Sequence, residues 1–229
     1  KQSEEALSCV NCFVLLTKQM ADYLRIDKPY CVMEGISSPE TSGAQNTIED
    51  KKIILYTGTL HEKFGVMNLV RAFRTIDSEN YELIICGVGD SEGAIKAAAK
   101  EDSRIHFLGK LPREQVLELQ SRATVLVNPR QNNEEFTKYS FPSKTMEYLS
   151  SGVPLVAYKL DGIPDEYDRY IQYVEDDSIE SLKKKIVEVC EIPKKERDDM
   201  GALGRVFVLT EKNSTAQTKK IVKLIEELL

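Results

Sequence analysis

Two hydrophobic patterns take turns along most of the chain. Short runs that are apolar at consecutive positions, KIILY (52–56), YELIIC (81–86), RIHFL (104–108), ATVLVN (123–128), VPLVAY (153–158) and YIQYV (170–174), have the length of strands. Runs apolar on both faces predict strands covered on both sides, as in a parallel sheet. Between them, Val66, Leu69, Val70, Phe73 and Ile76 recur at helical spacing. Further helices are predicted from Ile95 to Lys100, from Pro112 through Val116, Leu117 and Leu119, and from Thr145 to Ser151, which Gly152 closes. Three more follow at about 178–190, 195–208 and 214–229. Strand and helix in alternation predict an α/β fold, a Rossmann-like parallel sheet with helices on both faces.

Upstream the rhythm differs. CFVLL (12–16) and YCVM (30–33) read as two strands around a helix capped by Thr17 and running to Leu24, a short βαβ piece within 1–36. SSPETSGAQNTIED (37–50) is polar, carries Pro39 and Gly43, and reads as a linker to the main unit at 51–229. The opening KQSEEALS lacks the character of a signal peptide, and its lysine start suggests a boundary inside a longer chain.

Ligands of such sheets bind where strands end and helices begin, which draws attention to 57–65, 87–93, 109–112, 128–144 and 159–166. Gly87-Val88-Gly89 has only the beginning of a dinucleotide fingerprint: Glu92 stands where the third glycine belongs. These glycines are read as serving a tight turn. The richest window is NPRQNNEEFTKYSFPSKTMEYLSSGVPLVAY (128–158). There, amides near Ser143 and Lys144 open a helix and can face an anion, Lys144 adds charge, and Glu147 can take two hydroxyl donors from a sugar diol.

Charge narrows the partners. With 31 basic and 37 acidic residues the net charge is −6, which argues against a nucleic-acid partner. No apolar run reaches the roughly 18 residues of a membrane span. The five cysteines form no framework; Cys31 and Cys86 read as core residues, and Cys9-x-x-Cys12 as interior residues entering a strand. Their usage suggests a reducing compartment, the cytoplasm. His106 reads as structural, His61 as a loop residue within reach of a ligand, and no metal site is expected.

From about Lys51 onward the chain resembles the C-terminal domain of retaining family-four glycosyltransferases. The resemblance rests on YTGTL…FGV (56–66), LIICGVGD (83–90), IHFLGKLP (105–112), TVLVNPR (124–130), SFPSKTMEYLSSGVPLVAY (140–158) and DGIPDEY (161–167). It implies the C-terminal half of a GT-B fold, with 1–36 a remnant of the N-terminal domain. It further implies hexosyl transfer from a nucleoside-diphosphate sugar to a sugar or lipid-linked acceptor held by a missing N-terminal domain. Retention of configuration is implied, with no metal or other cofactor, in a cytoplasmic enzyme able to sit at the inner membrane face, and the fragment alone would be inactive. Glu147 matches the family's ribose-binding glutamate, and its partner glutamate eight positions earlier falls on Tyr139. Amides from Phe141 and Pro142 to Ser143 and Lys144 match the diphosphate segment, and Gly109, Lys110 and Leu111 match the part flanking the base. After Gly58, the family's arginine and lysine fall on Thr59 and Phe64, so Lys63, Lys144 and Arg130 are expected to serve instead. Tyr139 and Lys144 are the catalytic candidates. The alternatives are a nucleotide-sugar epimerase of the same fold and a non-catalytic nucleotide-binding or scaffold domain.

Overall fold

A computed structural model describes residues 9–37 and 51–229, so the opening octapeptide and the predicted linker, apart from Ser37, lie outside the described residues. The first part is the predicted βαβ piece. Strands β1 (Phe13–Leu15) and β2 (Tyr30–Val32) pair in parallel around helix α1 (Lys18–Leu24). Thr17 caps α1 by accepting from the Met20 N–H at 3.1 Å.

The main unit is built on six parallel strands in the order β5-β4-β3-β6-β7-β8. They are β3 (Lys52–Thr57), β4 (Tyr81–Cys86), β5 (Ile105–Gly109), β6 (Val125–Asn128), β7 (Leu155–Ala157) and β8 (Ile171–Tyr173). The connecting helices are α2 (Val66–Arg74), α3 (Glu92–Glu101), α4 (Arg113–Arg122), α5 (Ser143–Ser151) and α6 (Ile179–Glu191), followed by α7 (Lys194–Glu211) and α8 (Ser214–Glu226). Short 3₁₀ turns at Glu62–Phe64, Glu135–Lys138 and Asp165–Tyr167 were not foreseen, because single polar turns carry no apolar period. Two helices start earlier than expected: α3 at Glu92 and α5 at Ser143.

Side chains alternate across each strand and so divide the interior in two. Ile54, Val125 and Val156 join Leu69, Phe73 and Ile186 in a core under α2, α3 and α6. Their neighbours Leu55, Leu126 and Leu155 join Tyr148, Leu149 and Phe207 in a core under α5 and α7. Helix α4 departs from its pattern. Val116, Leu117 and Leu119 are not fully buried, whereas Gln120 and Ser121 are. Cys86 is buried as expected, but Cys31 and Cys12 are only half-buried and Cys9 is exposed, because the two-stranded piece that carries them has too little cover to form a core of its own.

The strand order places the switch between β3 and β6, whose chain connections run outward in opposite directions. The GVG turn explains itself there. A Cβ on Gly87, at φ +147°, would lie 1.8 Å from the Gly58 carbonyl oxygen, and one on Gly89 would meet the Leu60 backbone at 2.4 Å. The glycines let the loops after β3 and β4 touch.

A buried ion pair joins the two parts of the chain. Glu34, just past β2, lies 2.5 Å from Lys212 Nζ, and their side chains are 1% and 2% exposed. Tyr167 Oη donates to Glu34 Oε1 at 3.0 Å and Gln217 Nε2 to Oε2 at 3.3 Å. Helix α8 packs on β2, yet its Val222 and Ile225 remain 47% exposed, as does Leu228 just beyond it at 43%. Among the described residues no helix is long and apolar enough to cross a membrane.

Burial alone would raise the Glu34 pKa, but the bond from Lys212 and its neighbours outweigh burial and hold it below 4.5. The pair's stabilisation is therefore present above about pH 4.5 and is lost as pH falls through the depressed folded value. Lys212→Met is expected to cost roughly 3 kcal/mol, because it takes the nearer of two cations from a buried carboxylate and leaves Lys220 at 3.7 Å, and Glu34→Gln added to it should restore much of the loss. Urea titrations of both variants at pH 7 measure this.

Candidate functional site

The loops leaving β3 and β6 meet the start of α5 at the switch point. One pocket opens there, walled by Gly58, Thr59 and Phe64 from the first loop, Asn128 and Arg130 from the second, and Pro142, Ser143 and Lys144 from α5. The loops touch through Gly65, whose φ is +77°. A Cβ there would stand 2.0 Å from the Pro129 carbonyl oxygen. Helix α5 begins after Pro142 with no side chain capping it, and its first residues line the pocket, which puts the positive end of its dipole beside it.

Two cations reach this pocket. Lys144 Nζ donates to Glu147 Oε1 at 2.7 Å. Arg130 donates from Nη2 to Ser140 Oγ at 3.1 Å and lies over the rings of Phe136 and Phe64, 4.5 and 5.2 Å from their centroids. Its Nε is buried without a hydrogen-bond partner, and burial pulls the guanidinium pKa down. A buried cation with an unspent donor is suited to an anion that supplies the missing acceptor.

Glu147 opens into an adjoining hollow with Glu34, Ser37, Arg113 and Ser143. Ser143 lines both spaces, so the first turn of α5 divides a cationic pocket from a carboxylate-bearing one. Burial works against ionisation of Glu147, yet hydrogen bonds from Gln120 and Lys144 outweigh it and keep the carboxyl below the usual range. Glu147 is thus an anion at neutral pH, able to accept O–H donors.

The floor of the site is the end of β3. Tyr148 Oη accepts from the Thr57 N–H at 2.8 Å and donates to the Thr57 carbonyl at 2.9 Å. Burial pushes this phenol's pKa far up, so it stays neutral and can do both.

The other predicted residues fall around this centre. Phe141 is buried against Tyr167, leaving its backbone to serve the site. Lys63 sits 5.4 Å over both Phe64 and Phe136 and lines a separate polar hollow with Glu62 and Asn68. Tyr139 stacks on Tyr23 at 4.2 Å, and its carbonyl accepts from Thr17 Oγ1, which ties it to the βαβ piece. Gly109 turns at φ +65°, and Lys110 is exposed while Leu111 is half-buried, at the end of β5. His61 is turned to Asp90, 2.9 Å from Nδ1 to Oδ2. His106 faces Glu82 at 3.6 Å. No cluster of metal-ligating side chains occurs among the described residues. Gln120, Arg113 and Tyr148 were missed as parts of the site; of these, only Tyr148 had a signal, its place beside Glu147.

Fold and site together define a Rossmann-like domain with a pocket lined by Lys144 and Arg130 at the strand switch point. The profile of the glycosyl transferases group 1 family matches residues 37–207, and the chain belongs to that family. No curated protein sequence matches it. Solved structures are similar in fold. A mutant of S. aureus TarM, in complex with fondaparinux, alpha-GlcNAc-glycerol and UDP, is 14% identical with a TM-score of 0.77 over 98% of this chain and 46% of its own. Sucrose-phosphate synthase from Thermosynechococcus elongatus is 20% identical with a TM-score of 0.78, over 98% of this chain and 60% of its own. The apo lipopolysaccharide outer core galactosyltransferase WaaB is 15% identical with a TM-score of 0.71, over the whole of this chain and 65% of its own. The chain thus spans about half to two thirds of these proteins. The six-stranded parallel sheet flanked by helices is that of GT-B glycosyltransferases.

Gly65→Ala is expected to destabilise the chain by about 2 kcal/mol or more, since it adds both strain at positive φ and a clash with backbone. Thermal unfolding measures the loss, and an unchanged melting temperature would mean that the loops after β3 and β6 are not in contact.

Proposed function

We propose that this chain is the donor-binding part of a glycosyltransferase that transfers a hexosyl group from a nucleoside-diphosphate sugar with retention of configuration. The observation that carries the reading is the convergence on one helix start of the uncapped α5 amides, Lys144, the half-satisfied Arg130 and the ionised Glu147. A nucleoside diphosphate has the complementary parts: two phosphates for the cationic pocket and a ribose diol for the carboxylate in the next hollow.

In the reaction, the bond from the anomeric carbon to the diphosphate oxygen breaks and a bond to an acceptor oxygen forms. The electron pair of the broken bond goes to the diphosphate oxygen, which takes up the acceptor's proton as the diphosphate departs with its remaining negative charge. Lys144, Arg130 and the α5 amides stabilise that charge as it develops, and no other group on this chain needs to form a covalent bond. Tyr139 is proposed for the sugar end of the site, with Lys63 as an accessory cation and Gly109 to Leu111 beside the base. The acceptor, a sugar or a lipid-linked sugar, is held opposite by a further domain, and closure of the cleft brings the two together.

Calorimetric titration with UDP, GDP, ADP and their sugar conjugates tests the reading. Selective binding of one base is expected. Lys144→Ala should weaken it at least tenfold, about 1.4 kcal/mol, and Glu147→Ala by a similar factor. Failure of all three to bind overturns the donor reading and leaves a scaffold domain. Conversion of a sugar nucleotide without acceptor would instead identify an epimerase.

A further inference from the structure

Helix α4 buries a glutamine where its pattern called for leucine or valine. Gln120 is fully buried, and its Nε2 donates to Thr57 Oγ1 at 2.8 Å and to Glu147 Oε1 at 2.7 Å. Its own Oε1 is buried with no hydrogen-bond partner. An unsatisfied buried acceptor is a cost that an apolar side chain of the same length would avoid. Packing therefore does not account for an amide here, and the two bonds made by its nitrogen are what it contributes.

Those bonds fix the Glu147 carboxylate. Oε1 takes two donors, Gln120 and Lys144, whereas Oε2 has Arg113 Nη1 at 3.9 Å, and both Glu147 and Arg113 line the hollow. Lys144 is a poor sole holder for this group. When it turns to a phosphate, the carboxylate would follow its charge or lose its fixed orientation. A neutral donor anchored in β3 through Thr57 holds Glu147 in place whether or not Lys144 is engaged.

We propose that Gln120 is a positioning residue for nucleotide recognition, acting through Glu147 to keep one carboxylate oxygen aimed at the ribose diol. The inference rests on the donor-site reading above and deepens it, because it predicts that discrimination for ribose hydroxyls resides partly in α4.

The test uses the full chain and the nucleoside diphosphate it binds best, together with the 2′,3′-dideoxy form of that nucleotide. Gln120→Met removes the amide while keeping an unbranched side chain of similar length. It is expected to weaken the ribonucleotide roughly tenfold and to leave dideoxynucleotide affinity within about twofold. Thr57→Val removes the anchor hydroxyl, and with it a weak 3.4 Å contact to Tyr148 Oη, while the backbone bonds to Tyr148 remain; it should weaken the ribonucleotide by about threefold with the same selectivity. Thermal melts of both variants accompany the titrations, and Thr57→Val carries the test if Gln120→Met does not fold. Equal weakening of both nucleotides would indicate a general structural role and overturn the proposal, as would unchanged ribonucleotide binding. If the unsubstituted chain bound no nucleotide at all, the donor-site reading would fall first and this role with it, a result distinct from a variant that binds normally.

Discussion

The last peptide of β3 is satisfied by a side chain. The register between β3 and β6 ends at Leu55, two residues short of Thr57. A buried N–H and C=O at that place must find partners or cost the fold dearly. The Tyr148 hydroxyl supplies both, accepting from the N–H at 2.8 Å and donating to the carbonyl at 2.9 Å. This contact fixes the height of α5 over the sheet. Because Tyr148 sits between Glu147 and the body of the helix, the same contact sets where the carboxylate and the helix start stand relative to Gly58. Gln120 adds a third tie through Thr57 Oγ1. The chemistry of the site thus depends on an uncharged hydrogen-bond cluster beneath it.

The cationic side of the pocket has a different origin from the one the family resemblance implies. Thr59 and Phe64 occupy the places where basic residues are usual, and Arg130 comes instead from the end of β6. Its guanidinium lies over the Phe64 ring. The aromatic residue thus supports the arginine rather than merely replacing a lysine, since a ring face favours a planar cation and excludes water from one side of it. Arg130 thus stands opposite the loop that carries Thr59 and Phe64, across the contact that Gly65 allows.

Much of this was legible in the sequence, for local reasons. The strands of the sheet announced themselves as consecutive apolar residues because both faces are covered, and YELIIC matches β4 residue for residue. Thr17 marked a helix start through its hydroxyl, and Gly152 a helix end through its freedom to take positive φ. What escaped notice depends on contacts between distant residues. The period of α4 pointed to Val116, Leu117 and Leu119, but the face that turns inward carries Gln120, because a polar group was needed under Glu147. Likewise Tyr139 was readable as an occupant of a carboxylate's place, whereas its stack on Tyr23 joins segments with no sequence relation.

The pair Glu34–Lys212 belongs to the same class, and its consequence reaches the site. Glu34 and Ser37 form one wall of the hollow into which Glu147 opens, yet they precede the main unit in sequence. They are held by Lys212 at the end of α7, by Tyr167, and by Gln217 of α8. Isolated from these partners, a two-stranded piece such as β1 and β2 would be only marginally ordered. The hollow beside the carboxylate is therefore composite: α5 supplies its chemistry, and a buried ion pair brings in its far wall. A change that loosens that pair would shift Glu34 and Ser37, so the shape of the hollow beside Glu147 and the stability of the chain are coupled through the position of one short segment.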